Sequence, residues 1–292
     1  MTPRGCAGYV SRAMALDPSR VGLTAGPTRY AYDWERTTLY ALGVGATVNE
    51  LDYLYEGRGP KVLPTFAVIP SYAALQAAMA DAGVSFDNVV HGHQRITLHG
   101  PLPPAAELST TATLTAMYDL KRMAQVVVTT RTVDAAGNAL FDTEWGILVL
   151  GAGGWGGEAP PGRDGAAPDR APDFRVTQKT TPEQALLYRH MGDGNPLHAD
   201  PDFPLVQERF GGRPILHGLC SYGFVGRAIA QAACGGDPQR IGQMYARFTK
   251  PVWPGDTLIT EGWVEGTQVR FRTTTAERGE AVLSHGTATL RG

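Results

Sequence analysis

Cysteine is scarce in this chain. Its 292 residues include only Cys6, Cys220 and Cys234, an odd number with no C-x-x-C spacing. That excludes a disulfide framework or a zinc knuckle and points to a reducing compartment. Long apolar runs are absent as well. Nothing approaches the roughly 18 residues of a membrane-spanning helix, so no membrane partner is expected. Net charge is nearly absent: 26 Lys+Arg against 28 Asp+Glu leave −2, which gives no electrostatic footprint for nucleic acid. Met1 to Ala13 carry Arg4 and Arg12 but no apolar stretch of a secretory signal, and Met14 offers a second start. Residues 1–16 are expected to be disordered. The closing Leu290-Arg291-Gly292 is not a peroxisomal address of the Ser-Lys-Leu type, so the expected location is cytoplasmic.

What the chain does have is apolar mass. Hydrophobic residues make up 43%, enough for a sizeable core in one large domain or two ordinary ones. Residues 151–172, GAGGWGGEAPPGRDGAAPDRAP, are too rich in glycine and proline for a regular element and read as a linker. They divide the chain into residues 17–150 and 173–292, and the two parts follow one plan. Each has a helix, through about Gly83 in the first and from Gly218 to about Ala233 in the second. Leu75, Ala78, Met79 and Ala82 recur at helical spacing. Gly223, Gly226, Ala230 and Ala233 form a small-residue stripe, expected to approach a sheet closely.

Strands follow each helix. Gln94–His99, Glu107–Met117, Val126–Val133 and Leu140–Leu150 are expected in the first part, with a proline bend at 101–104 and a turn at 134–138. Gln243–Thr249, Thr257–Glu265, Gln268–Thr275 and Ala281–Leu290 are expected in the second, with a bend at 251–256. A helix against a curved antiparallel sheet, repeated, is an α+β architecture.

The chemistry concentrates in Gly192-Asp193-Gly194-Asn195-Pro196-Leu197-His198. A carboxylate and an imidazole five residues apart around a turn can hold one water between them and accept its protons. An Asp before a helical segment and an Asn-Pro pair are also ordinary capping and turn residues. Farther on, Arg213-Pro214-Ile215-Leu216-His217-Gly218 opens an apolar helix abruptly, and a helix start offers free N–H groups to a developing oxyanion. Together these suit addition or removal of water next to a carbonyl. Cys220, inside that helix, reads as a small buried hydrophobe. His190, His198, Asp200 and His217 fit no standard zinc spacing, and no metal is expected.

These segments, with Ala246–Leu258 (ARFTKPVWPGDTL), resemble the MaoC-like, R-specific enoyl-CoA hydratase 2 proteins. Tyr40–Ala46, Leu63-Pro64-Thr65-Phe66 and Val90-His91-Gly92-His93-Gln94 match the long form of that family, as in peroxisomal multifunctional enzyme type 2 and its bacterial relatives. The resemblance runs over roughly Asp33 to Arg291.

It implies a tandem (double) hot-dog fold and reversible hydration of trans-2-enoyl-CoA to (3R)-3-hydroxyacyl-CoA, with acyl-CoA as substrate, no cofactor, and a homodimer. It implies that the second repeat is catalytic and that the first has lost the chemistry to make room for an acyl chain. Nothing like GDGNPLH precedes the first helix, and Ala67 to Tyr72 lack the His-Gly start. Asp193 and His198 would activate water, Asn195 would fix the loop, Pro196 would stiffen it, and the Gly218 N–H would meet the thioester oxygen. Which of Asp193 and His198 protonates the α-carbon stays open. Arg247 and Lys250 are nominated for the phosphates of CoA, with His217 as a positioned residue at the helix start. Residues 199–217 run about two longer than in the relatives, beside the site, which ties this segment to substrate preference. A thioester dehydratase of fatty-acid or polyketide synthesis, a non-catalytic acyl-CoA-binding subunit and a thioesterase are the competing readings.

Overall fold

The computed structural model describes residues 16–84, 88–162 and 165–292. The expected disorder over 1–16 therefore lies almost wholly outside the described residues, as do Cys6 and Met14. Leu16, the last of that stretch, packs against the core.

Among the described residues, ten strands form one antiparallel sheet. In the first repeat they are β1 (Thr24–Tyr32), β2 (Val89–Leu98), β3 (Ala106–Asp119), β4 (Met123–Asp134) and β5 (Ala139–Leu150). In the second they are β6 (Phe174–Lys179), β7 (Ile241–Phe248), β8 (Thr257–Glu265), β9 (Gln268–Thr275) and β10 (Ala281–Leu290). The spatial order β1-β3-β4-β5-β2-β7-β10-β9-β8-β6 reads the same from either edge once each strand is matched to its counterpart. The repeats meet at β2 and β7, where His93 lies opposite Arg247 and Ile96 opposite Met244. The sequence segments 90–94 and 246–258 are thus neighbours across the central seam.

Period-two burial explains the strands. Along β9, Val269, Phe271 and Thr273 are buried while Gln268, Arg270 and Arg272 are exposed. The helices of the first repeat are α1 (Trp34–Gly43), α2 (Leu51–Leu54) and α3 (Val68–Asp81). Those of the second are α4 (Gln184–Tyr188), α5 (Pro204–Phe210) and α6 (Gly218–Ala233). Every residue of α6 from Leu219 to Ala230 is buried. This is the tandem hot-dog arrangement, one long helix to each half-sheet.

The small-residue stripe of α6 does something other than expected. A Cβ on Gly223 would lie 2.3 Å from Val44 Cγ1, and one on Gly226 would lie 2.8 Å from Thr65 Cγ2. The glycines therefore admit the end of α1 and the turn before α3, not the sheet. Close approach of the repeats is what the stripe serves, because any side chain there would push them apart. Arg227 reinforces the contact by pairing with Glu50 and donating to the Val44 carbonyl at 2.8 Å.

Residues 151–162 and 165–172 hold no helix or strand, yet they are anchored. The Asp119 carboxylate accepts from the Gly154 and Gly156 N–H groups at 2.8 Å each, and Trp155 packs on the core.

Candidate active site

The GDGNPLH segment is a chain of local turns. Gly192 adopts φ 114°, a conformation that a side chain would strain. Asp193 Oδ1 accepts from the Asn195 N–H at 3.1 Å, and Asn195 Oδ1 caps the following 3-10 turn by accepting from the Leu197 N–H at 3.0 Å. The ordinary turn reading is therefore correct for both residues, and it does not compete with chemistry. The same turns present Asp193, Asn195 and His198 to one cavity.

That cavity measures about 320 Å³. Long-range bonds assemble it. The Ile215 N–H donates to the Leu197 carbonyl at 3.3 Å, and the Leu216 N–H donates to the Val252 carbonyl at 2.7 Å. The start of α6 is thereby clamped between GDGNPLH and the proline bend. Asp256 closes that bend by accepting from the Trp253 N–H and from Arg278, both at 2.7 Å.

His198 Nδ1 lies 2.8 Å from the Ile215 carbonyl oxygen. A carbonyl can only accept, so the proton is assigned to Nδ1, and Nε2 keeps its lone pair. Burial lowers the pKa of His198 against the opposing pull of the Asp193 carboxylate. His217 is pushed well below the usual imidazole value by burial and by His198 beside it. Both rings are neutral at pH 7. They stack with centroids 3.8 Å apart and planes 28° apart.

Ligand-type atoms of Asp193, His198 and His217 all lie within 4.8 Å of one another. One water with two hydrogen bonds of about 2.8 Å spans such a gap. By separation alone the same three groups could also hold a metal ion.

Gly218 is the first residue of α6. Its N–H has no carbonyl one turn earlier to reach, and among the described residues it has no acceptor. A Cβ at Gly218 would lie 3.0 Å from Phe248 Cδ1. The absent side chain thus makes room for the Phe248 ring at the cavity wall. His217, Gly218 and Lys250 all line the cavity.

Two nominated residues do not come to it. Arg247 is exposed and lies outside the lining. Phe248 faces the cavity, and strand alternation turns its neighbour Arg247 to the other side. Pro196 is exposed on the outer face of the turn it starts, so it stiffens the segment and does not line the cavity. Lys250 is exposed at the rim. Phe210, Ile215 and Leu216, from the segment 199–217, line the wall.

Sequence reasoning missed the wall from the first repeat. Tyr72 of α3, His91 of β2 and Trp145 of β5 all line the cavity. His91 stacks on Trp145 with centroids 5.4 Å apart and planes 12° apart, and its ring centroid is 4.6 Å from that of Phe248. A bulge between His91 and His93 makes this possible, because it turns the two rings to different surroundings. Burial pushes His91 down to about 3. Gly92, at the bulge, was the available signal.

Comparison with known proteins bears on this geometry. Residues 30–151 match the MFE-2 hydratase 2 N-terminal domain, and residues 163–285 match the MaoC like domain. The peroxisomal enoyl-CoA hydratase 2 of Arabidopsis thaliana is 36% identical over 289 residues, covering 91% of this chain and 92% of that protein. The chain belongs to the MaoC-like enoyl-CoA hydratase 2 family. Another member, the 3-hydroxyacyl-thioester dehydratase Y of Mycobacterium tuberculosis, is 40% identical over 273 residues, covering 90% of this chain and 93% of that one. A MaoC-like dehydratase from Phytophthora capsici superposes with a TM-score of 0.83 at 28% identity, covering 94% of this chain and 98% of its own. All three relatives match over both repeats.

Proposed function

We propose that this member of the family catalyses reversible syn hydration of trans-2-enoyl-CoA to (3R)-3-hydroxyacyl-CoA. The observation that carries the reading is the convergence of Asp193, His198 and the free Gly218 N–H on one mostly apolar cavity. Water attack at the β-carbon moves charge onto the thioester oxygen. A donor fixed in advance at a helix start stabilises that charge without reorganisation. His198 Nε2 and the Asp193 carboxylate both accept protons, so they hold the attacking water and pass a proton to the α-carbon on the same face. Asn195 fixes the turn that sets their spacing, and Pro196 stiffens it. The step needs no resident cofactor and no metal, since the water and the thioester carry the chemistry. The same groups serve dehydration, the direction named for the mycobacterial relative.

Acyl-CoA is the substrate in this reading, with Lys250 at the rim the better placed of the two nominated cations for a CoA phosphate. The Phe210 to Leu216 wall sets acyl preference. The working form is a homodimer. The buried thiols of Cys220 and Cys234 suit a reducing compartment, and the cytoplasm is the placement proposed. No helix among the described residues is long and apolar enough to cross a membrane. Residues 17–150 and 173–292, joined through 151–172, are proposed as the acyl-accommodating and catalytic repeats.

The test is purified protein with crotonyl-CoA and a longer trans-2-enoyl-CoA, followed by loss of enoyl absorbance and chiral analysis. Turnover to the 3R product supports the reading. No turnover at any chain length, or the 3S product, overturns it.

A further inference from the structure

The fourth residue of each long helix is a serine, Ser71 in α3 and Ser221 in α6. Both are buried, at 0% and 2% exposure. Ser71 is satisfied inside its own helix. Its hydroxyl donates to the Ala67 carbonyl at 3.0 Å and to the Val68 carbonyl at 3.2 Å, one proton shared between two acceptors of the preceding turn. Ser221 makes neither of the matching bonds. Its hydroxyl has no hydrogen-bond partner among the described residues, and it lines the cavity with Asp193, His198 and Gly218. A buried hydroxyl without a partner costs stability, so such groups are nearly always paired. The partner that Ser221 lacks in its own helix is one that the cavity can admit.

Two nitrogen atoms of the lining, His91 Nε2 and His217 Nδ1, are also buried without partners among the described residues. His217 Nε2 faces the Asp193 carbonyl at 3.4 Å, which assigns the proton to Nε2 and leaves Nδ1 a lone pair. A lone pair repels an oxyanion. His91 belongs to β2 of the other repeat. Ser221 stands three residues after Gly218 on one helix. Residues at that spacing share a face, and each side chain leans toward the N-terminus, so the hydroxyl is directed back to the turn that Gly218 opens.

We propose that Ser221 is a catalytic residue of the hydratase site: its hydroxyl donates to the thioester oxygen beside the Gly218 N–H, so two donors share the charge that water attack places there. This deepens the proposed reading and rests on it. No covalent bond to Ser221 forms or breaks, and its proton stays on Oγ throughout. An oxyanion has lone pairs for more than one donor, and a hydroxyl with no competing acceptor in its own helix is free to serve it. Ser71, with its proton held by two carbonyls, is not.

The experiment compares Ser221→Ala, Ser71→Ala and Asp193→Asn with the parent on crotonyl-CoA. It also records the infrared carbonyl stretch of bound butyryl-CoA, isotope-labelled at the thioester carbonyl. Butyryl-CoA has no double bond to hydrate, so it reports the polarising groups alone. Removing one oxyanion donor typically costs about 10²–10³ in kcat. Ser221→Ala should lose about tenfold or more in kcat, with KM within about threefold, because the bond strengthens as charge develops. Its melting temperature should equal or exceed that of the parent, since an unpaired hydroxyl is removed. The carbonyl stretch should rise in frequency, because the oxygen has lost a hydrogen bond. Ser71→Ala, the matched change in α3, should leave kcat and the stretch near the parent. A parent-like kcat or an unchanged stretch in Ser221→Ala, while Asp193→Asn is inactive, overturns the role of Ser221 alone, as does an equal kcat loss in Ser71→Ala. Near-parent turnover in Asp193→Asn overturns the reading of the site.

Discussion

The starts of α3 and α6 occupy equivalent places in two copies of one fold, and they differ in what they leave open. At the start of α6 stand His217 and Gly218, with an N–H free to take a negative charge and no side chain in the way. At α3 the corresponding residues are Ala67 and Val68, both buried. Nothing is presented there to a substrate, and the preceding segment holds no acid/base pair. What the first repeat gains is bulk at the right distance: Tyr72, His91 and Trp145 form a wall facing the other repeat's Asp193, His198 and Phe248. On the proposed reading one copy supplies the chemistry and the other supplies shape, while the pairing of β2 with β7 holds both in register. A repeat without the GDGNPLH segment still lines the cavity that the segment faces.

The sharpest way to break this comparison is to disable the chemistry of the second repeat alone. Asp193→Asn and His198→Gln should each lower kcat by about 10²–10⁴, the range of a lost acid/base group. Circular dichroism and melting temperature should stay close to the parent, since each change is nearly isosteric. Substantial activity in either folded variant would mean that the first repeat carries chemistry after all.

A paired substitution at the helix starts comes next. Gly218→Ala puts a methyl 3.0 Å from Phe248 Cδ1, so the ring must shift within the cavity wall. The expected loss is about tenfold or more in kcat/KM, well above RT at 25 °C. Val68→Ala, at the equivalent position in α3, should instead cost stability, roughly 1–3 kcal/mol as a core truncation, with kcat unchanged. If the two variants behave alike in the hydration assay, the helix starts are not functionally distinct.

How far the sequence reached follows the same division. The strands β8, β9 and β10 were legible to the residue from their apolar content and the turns between them, and β9 also alternates strictly between buried and exposed from Gln268 to Thr273. The edge strands β1 and β6 were not foreseen. β1 carries a Gly26-Pro27 step inside it, and β6 is six half-exposed residues just after the linker. Asp193, Asn195 and His198 were legible because local turns bring them together. Tyr72, His91 and Trp145 were not, because only the pairing of β2 with β5 and β7 and the packing of α3 carry them to the same cavity. The placement of Arg247 away from the cavity was hidden for a related reason: which side of a strand faces the cavity depends on register, and a motif does not state it.

A pH profile separates the two kinds of histidine. His198 must be neutral to accept a proton, and burial lowers its pKa below the ordinary value of about 6.5. The expected kcat/KM is therefore flat from about pH 6.5 to 8 and falls only as pH drops through the lowered value. Stability shares the sign. His91 is held down to about 3 and His217 well below normal, so below about pH 6.5 the unfolded chain binds protons that the folded chain refuses. The folded state loses stability progressively from there toward pH 3. His91→Asn removes one such group in the first repeat and should flatten the acid limb of stability while leaving the acid limb of activity in place. An activity limb that moves with His91→Asn would tie the first repeat to proton transfer.

The smallest expected effect lies at the seam where the repeats join. Arg247 and Lys250 are close in sequence, but only Lys250 lines the cavity. A rim lysine meeting a phosphate is a screened surface charge, worth about 1 kcal/mol or less. Lys250→Ala should raise KM for enoyl-CoA by about two- to fivefold, with kcat unchanged and a shallower dependence of KM on salt. Arg247→Ala should stay within about twofold of the parent at every ionic strength, because β7 turns that side chain to the opposite face. A larger KM effect from Arg247 than from Lys250 would place the CoA path on the other side of the seam, against the wall formed by Tyr72, His91 and Phe248.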